Sequence, residues 1–194
     1  MWNIEKFRRA SGEALRVAVS LREMVVSNEL EDSRLPDFVS LSGTFGKPCL
    51  PFREHRVESV ALNVYEALRQ RGEREVIVFE NPLYEEHSEY LAVADLRNNG
   101  DLRLLVDEKL FDGGYIMSTV TSLFRWLGNF TDYGFMFTDA AVIQDIFRAS
   151  PSTTYNIASR EFRANYGGDF LLDAEIRKLD KLWSALRLEN TKPN

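Results

Sequence analysis

Hydrophobic and polar positions along the chain change period several times, and those changes define the expected elements. Residues 3–28 carry Ile4, Phe7, Ala14, Ala18, Leu21 and Val25 at helical spacing, with Arg8, Arg9, Glu13 and Arg16 on the other side, which predicts one amphipathic helix. Residues 29–55 hold Pro36, Pro48, Pro51, Gly43 and Gly46 and read as an irregular connection. Val57, Val60, Ala61, Val64 and Leu68 predict a helix over 56–71 with Gly72 as its stop. The β-branched run Glu75 to Glu80 predicts a strand.

The stretch Glu89 to Lys109 reads as the centre of the fold. Tyr90 to Ala94 is almost continuously apolar, Asn98, Asn99 and Gly100 form a turn signal, and Leu102, Leu104 and Val106 fall on one strand face with Arg103, Leu105, Asp107 and Lys109 on the other, so a hairpin is expected. Residues 116–128, with Ile116, Val120, Leu123, Phe124 and Leu127 inward, predict a helix, and Tyr133 to Thr138 predicts a strand. Asp139 is placed to cap a short helix through Phe147. A polar segment, 149–169, contains a short surface helix over 156–165, and a last helix runs from 170 to about 188, with Asp173 and Arg177 paired on its wet side. Runs of strands bounded by helices imply an α+β fold: a small, mostly antiparallel sheet of about four strands, with core order αβββαβ over 56–138. One domain over 1–194 is expected, divided into the 1–55 segment, the 56–138 core and a helical 139–194 segment.

Composition narrows the function classes. With 44% hydrophobic and 12% aromatic residues the chain can bury a substantial core, so disorder throughout is not expected. A net charge of -6 argues against broad nucleic-acid binding, which depends on neutralising phosphates. Cys49 is the single cysteine, so no internal disulfide forms, and with only His55 and His87 beside it a Cys/His zinc site is not available. No secretory leader and no run long enough for a membrane span are read, which points to a cytoplasmic protein. Gly43, Gly46 and Lys47 do not make a phosphate loop, because the glycines are three apart and Pro48 follows the lysine.

The order αβββαβ and the triplet Asp107-Glu108-Lys109 together resemble the PD-(D/E)xK nucleases, although the proline-acid pair of that family's name is absent. The resemblance implies carboxylates holding Mg²⁺ or Mn²⁺ and a lysine steadying developing charge. In the expected hairpin Asp95 falls about 13 Å from Asp107 at ~3.3 Å per residue. Glu89 becomes the diagonal neighbour at ~7–8 Å. The nuclease reading therefore uses Glu89, Asp107 and Lys109 as catalytic residues, with Glu86, Glu89 and Asp107 on the metal.

A second class needs no cofactor. The acidic residues Glu80, Glu85, Glu86 and Glu89 form a rim that can steer a partner protein with a basic surface, and Tyr84, Tyr155, Phe162 and Tyr166 can supply anchors. That is the profile of a non-catalytic inhibitor, immunity or chaperone-like binding module, and it is the reading preferred from sequence. A third class, a DNA-binding subunit, would use the basic first helix with Lys6, Arg8, Arg9, Arg16 and Arg22.

Overall fold

The computed structural model describes residues 4–29, 37–53, 57–83, 88–107, 114–121, 123–128, 133–166 and 170–189. Its centre is one antiparallel sheet built from β1 (Arg8–Arg9), β2 (Cys49–Arg53), β3 (Glu75–Glu80), β4 (Ala92–Asp95), β5 (Tyr115–Thr119), β6 (Phe124–Leu127) and β7 (Tyr133–Thr138). The spatial order is β1-β4-β3-β5-β6-β7-β2. The α+β class is as expected, but among the described residues the sheet has seven strands rather than about four, and the core order differs.

Four local decisions account for the difference. The first predicted helix is broken: a 3-10 turn (Ile4–Lys6) leads into β1, and α1 (Gly12–Ser27) starts only after Ser11. Gly12 sits at φ +57°, a left-handed conformation that suits glycine and resets the chain direction. Ile4 and Phe7 are still buried, but from the turn, while Arg8 pairs with Val93 and the Ala10 N–H donates to Leu91 O at 2.7 Å. The segment expected to be irregular contains α2 (Phe38–Phe45) as well as β2. Asp37 caps α2 by accepting from the Val39 and Ser40 N–H groups, and Gly46, at φ +60°, closes it.

The expected central hairpin is a strand followed by a helix. Asn98 Oδ1 accepts from Gly100 N at 2.8 Å and Asn98 O from Leu102 N at 3.0 Å, so the turn signal is the N-terminal cap of α4 (Asn99–Asp107). Leu105 is fully buried, with Leu102 three residues before it half-buried, which is helical spacing. Conversely, the helix expected over 116–128 is the β5–β6 hairpin, paired Ile116 to Leu127, Met117 to Trp126 and Ser118 to Arg125. All of Tyr115 to Thr119 is buried, and the Phe124 N–H donates to Thr119 Oγ1 at 3.1 Å, tying the two strands at the turn.

The helix α3 (Val57–Gln70), the strands β3 and β7, and the helices α5 (Ala140–Phe147) and α7 (Phe170–Glu189) fall where the periodicity placed them. Asp173 and Arg177 form the expected ion pair. The polar segment after α5 is a longer helix than expected, α6 (Pro151–Tyr166). Asp139 stands at the N-cap of α5 but makes no cap bond, its Oδ1 accepting from Lys47 Nζ at 2.6 Å instead.

Directly paired residues in an antiparallel sheet share a face. Ile77, Ser118, Arg125, Phe137 and Cys49 therefore lie on one face, and Val78, Met117, Trp126, Met136 and Leu50 on the other. On the first face α1 packs against β3, while Phe38 and Phe45 of α2 meet Phe135 and Phe137 of β7. On the second, Tyr65 of α3 reaches Met117. At the β2 edge, α6 and α7 pack together: Tyr155 stacks on Trp183, whose indole N–H donates to Cys49 O at 2.8 Å.

Candidate functional site

Only some of the predicted site residues lie among the described ones. Asp107 is the last residue of α4 rather than part of a third strand, so the shared strand face on which the nuclease resemblance depended is not formed at Asp107. Its side chain and the whole of Lys109 lie outside the described residues, as do Tyr84, Glu85 and Glu86. Among the described residues no group of three His, Cys, Asp or Glu is placed to hold a metal ion.

The expected docking residues divide as well. Tyr155 and Phe162 are each 3% exposed, so they are core residues and not surface anchors. The Tyr155 hydroxyl donates a hydrogen bond to Asp180 Oδ1 at 2.9 Å, and burial first, then that carboxylate, raises its pKa. Tyr166 ends α6 with its side chain outside the described set. Glu80 is half-buried, accepting from the Tyr115 hydroxyl at 3.4 Å and from Ser88 N, which makes it a brace for the loop before β4. Glu89 remains at the surface, its side chain 70% exposed and ion-paired with Arg22.

The basic residues read as part of one helix are distributed over three elements. Arg8, on the edge strand, pairs with Glu75 at 2.6 Å. Arg9 lies 5.7 Å from the Tyr90 ring centroid. Arg22 pairs with Glu89, whose hydrogen bond raises its pKa from the ordinary value. A continuous basic face for nucleic acid is therefore not present on α1.

What the fold does bring together is a stripe on the outer side of α1. Leu15 and Val19 are each 40% exposed and Val26 is 47% exposed. At 3.6 residues per turn these positions stack in line, with Arg22 between them and Glu89 attached to Arg22. The helix already buries a separate apolar row, Ala14, Ala18, Leu21 and Val25, against the sheet. The stripe is thus additional to what folding requires. Comparison of the chain with family models, with curated proteins and with solved structures finds no match. The stripe and its surroundings therefore have to be interpreted from their own chemistry.

The other side of α1, roughly 150° around the helix from the stripe, borders a cleft of about 340 Å³. Its walls are Glu13, Arg16, Val17 and Met24 of α1 and Phe45 of α2, and Arg125 of β6 lies in its floor. Arg125 is half-buried with its guanidinium 4.5 Å from the Phe45 ring centroid, and burial lowers its pKa from the ordinary value. A second hollow of about 480 Å³ opens at the β5–β6 turn beside Phe45. There Lys47 is paired with Asp139 and Arg71 with Asp145 at 2.8 Å, while the Thr121 hydroxyl donates to Glu73. Sequence reading passed over both Arg125 and Phe45. One signal was available, a lone cation inside the apolar run Leu123-Phe124-Arg125-Trp126-Leu127.

Among the described residues no helix is long and apolar enough to cross a membrane.

Proposed function

We propose that the chain is a non-catalytic, cytoplasmic protein-binding module of the inhibitor, immunity or chaperone-like kind. It docks another protein through the outer side of α1 and the Glu89 end of the acidic rim. The observation that carries this reading is the Leu15, Val19 and Val26 stripe, a row of half-exposed aliphatic side chains at helical spacing with an ion pair set into it. An amphipathic helix offers such i, i+4 rows to an apolar groove, and a charge beside the row sets orientation and speeds encounter. A partner with a basic group beside an apolar groove fits, the basic group sharing the exposed carboxylate of Glu89.

The test starts from side-by-side affinity capture from the native host with wild-type protein and with Leu15→Asp and Val19→Asp variants. A partner held by wild type should be lost by both variants while their thermal melting is unchanged, and Glu89→Lys should slow its association most at low salt. Equal capture by all proteins, or association indifferent to salt and to Glu89, would remove the stripe and the rim as the site. Turnover of DNA or RNA by the purified chain with Mn²⁺ would replace the binding reading with the nuclease one.

A further inference from the structure

We infer that the hollow at the β5–β6 turn is a binding site for a small primary amine with an apolar body, its ammonium group held by Glu73 and Thr121 and its body packed against Phe45 and Leu123. The hollow has about 480 Å³, within the ~300–1,000 Å³ range of small-molecule sites. Its chemistry centres on one carboxylate. Glu73 is only 8% exposed, and among the described residues its side-chain partner is the Thr121 hydroxyl, a neutral group. The two cations in the same lining are matched elsewhere, Lys47 by Asp139 and Arg71 by Asp145. A carboxylate taken out of water is costly unless a cation or several donors meet it, and here a single hydroxyl does.

The backbone puts that carboxylate at an unfavourable point of the fold. α3 closes at Gly72, at φ +82°, with the Gly72 N–H donating to Arg69 O and the Glu73 N–H to Leu68 O, both at 3.0 Å. Glu73 thus follows directly on a helix C-terminus, where the last carbonyls favour a cation and disfavour a carboxylate. A bound ammonium offsets both costs and brings three donors. The Glu73 carboxylate can accept from it, and so can the Thr121 oxygen, which keeps acceptor capacity while donating to Glu73. The closure of α3 fixes Glu73, and the bond from Phe124 N–H to Thr119 Oγ1 fixes the turn that carries Thr121, so the polar end of the site is set before the ligand arrives. A divalent cation fits less well, because Mg²⁺ and Ca²⁺ take about six or more oxygen ligands, and no group of three His, Cys, Asp or Glu gathers for a metal among the described residues. An anion fits less well too, since Lys47 and Arg71 each hold an aspartate already.

The hollow shares no residue with the α1 stripe, so this inference stands or falls independently of the proposed function. The probe is 2-phenylethylamine, an ammonium at neutral pH, titrated into the full chain and followed by amide chemical shifts in ¹H–¹⁵N NMR spectra. Saturable shifts should appear at Phe45, Glu73, Thr121 and Leu123. The neutral analogue 2-phenylethanol should bind at least about tenfold more weakly, because it lacks the charge that strengthens a hydrogen bond to a carboxylate. The N-trimethylated amine keeps the charge but has no N–H to donate, and it should also bind less tightly. Glu73→Gln should lose about tenfold or more in amine affinity. Thr121→Lys, an exposed change in the turn, sets a tethered ammonium beside Glu73 and should abolish saturable binding with melting unchanged, which covers the case of Glu73→Gln failing to fold. Shifts that do not saturate, an alcohol or a trimethylated analogue that binds as tightly as the amine, or amine affinity retained in Thr121→Lys would overturn the assignment.

Discussion

Whether Arg125 faces the cleft at all depends on the register of β6, and Gly134 provides a direct test of it. Trp126 is fully buried on the second face of the sheet, and its indole lies across Gly134 of β7. A Cβ added at Gly134 would sit 1.9 Å from Cζ2, 2.3 Å from Cη2 and 2.6 Å from Cε2 of Trp126. Ordinary carbon contacts are about 3.5–4.0 Å, so Gly134→Ala must push a buried indole aside by roughly 1.5–2 Å. Overpacking of this kind costs about 1–3 kcal/mol, occasionally more. Without the clash the same change would stabilise by about 0.4–1 kcal/mol through the unfolded chain, so the sign of the effect is informative. We expect Gly134→Ala to lose about 3 kcal/mol, or ~6–12 °C in Tm for a chain of this size. Trp126→Phe, which removes the clashing atoms, should cost less than the ~3–5 kcal/mol of truncation to Ala. In the double variant the two losses should fall short of additivity by about 2 kcal/mol. Urea denaturation followed by far-UV circular dichroism measures all three. A Gly134→Ala protein within about 0.5 kcal/mol of wild type, or losses additive to within that margin, would mean that Trp126 does not lie on Gly134. A slip of one residue would exchange the faces of Arg125 and Trp126, and the cleft would lose its floor.

Two further outcomes follow from local chemistry. Asn98→Ala should lower stability by about 1 kcal/mol, because Asn98 caps α4; a hairpin turn there would instead make Gly100→Ala the damaging change, and comparing their urea midpoints separates the cases. Burial pulls the Asp37 carboxyl upward, but the Ser40 N–H and hydroxyl, the Lys178 charge and the Val39 N–H outweigh it and leave the pKa lowered; at Asp95 the Arg97 side chain, then its N–H, does the same. A carboxyl held below its unfolded value of ~3.9 adds stability above that pH and loses it as pH falls through the folded pKa. Asp37→Asn should therefore show a shallower loss of urea midpoint below about pH 4 than wild type, and an unchanged acid limb would refute the assignment.

The sequence was legible wherever one period dominated over a full element. The helix α3 has apolar residues at unbroken helical spacing, and the strands β3 and β7 are short β-branched or aromatic runs between turn residues. It was misread where two periods fit the same letters. Leu102, Leu104, Leu105 and Val106 satisfy both alternation and helical spacing, and Asn98 is a good residue for a turn and for a helix cap alike. Long-range packing decided between them: residues 115–119 occupy the place beside β3 and are buried throughout, so α4 is left to pack against β4 and α3. The surface was harder to read than the core. Tyr155 and Phe162 had the composition of interface anchors but fill the space between α6, α7 and β7. The exposed aliphatics of α1 are ordinary letters whose availability depends on which side of the helix meets the sheet.

The net charge of -6 illustrates the same distinction between a sum and a place. As a sum it favours basic partners and disfavours anions, and over distances beyond the Debye length of about 8 Å it steers both weakly in physiological salt. Recognition takes place at shorter range. On the outer side of α1 the group offered to solvent beside the apolar stripe is a carboxylate, Glu89, with Arg22 tied to it. On its other flank Arg16, Arg125 and Glu13 line the cleft beside Phe45. The charge of the whole chain identifies neither surface. Reversal at Glu89 should act on partner binding at the stripe while neutralisation of Arg16 leaves that binding unchanged, since α1 itself separates the two positions and its buried row of Ala14, Ala18, Leu21 and Val25 fixes how it sits.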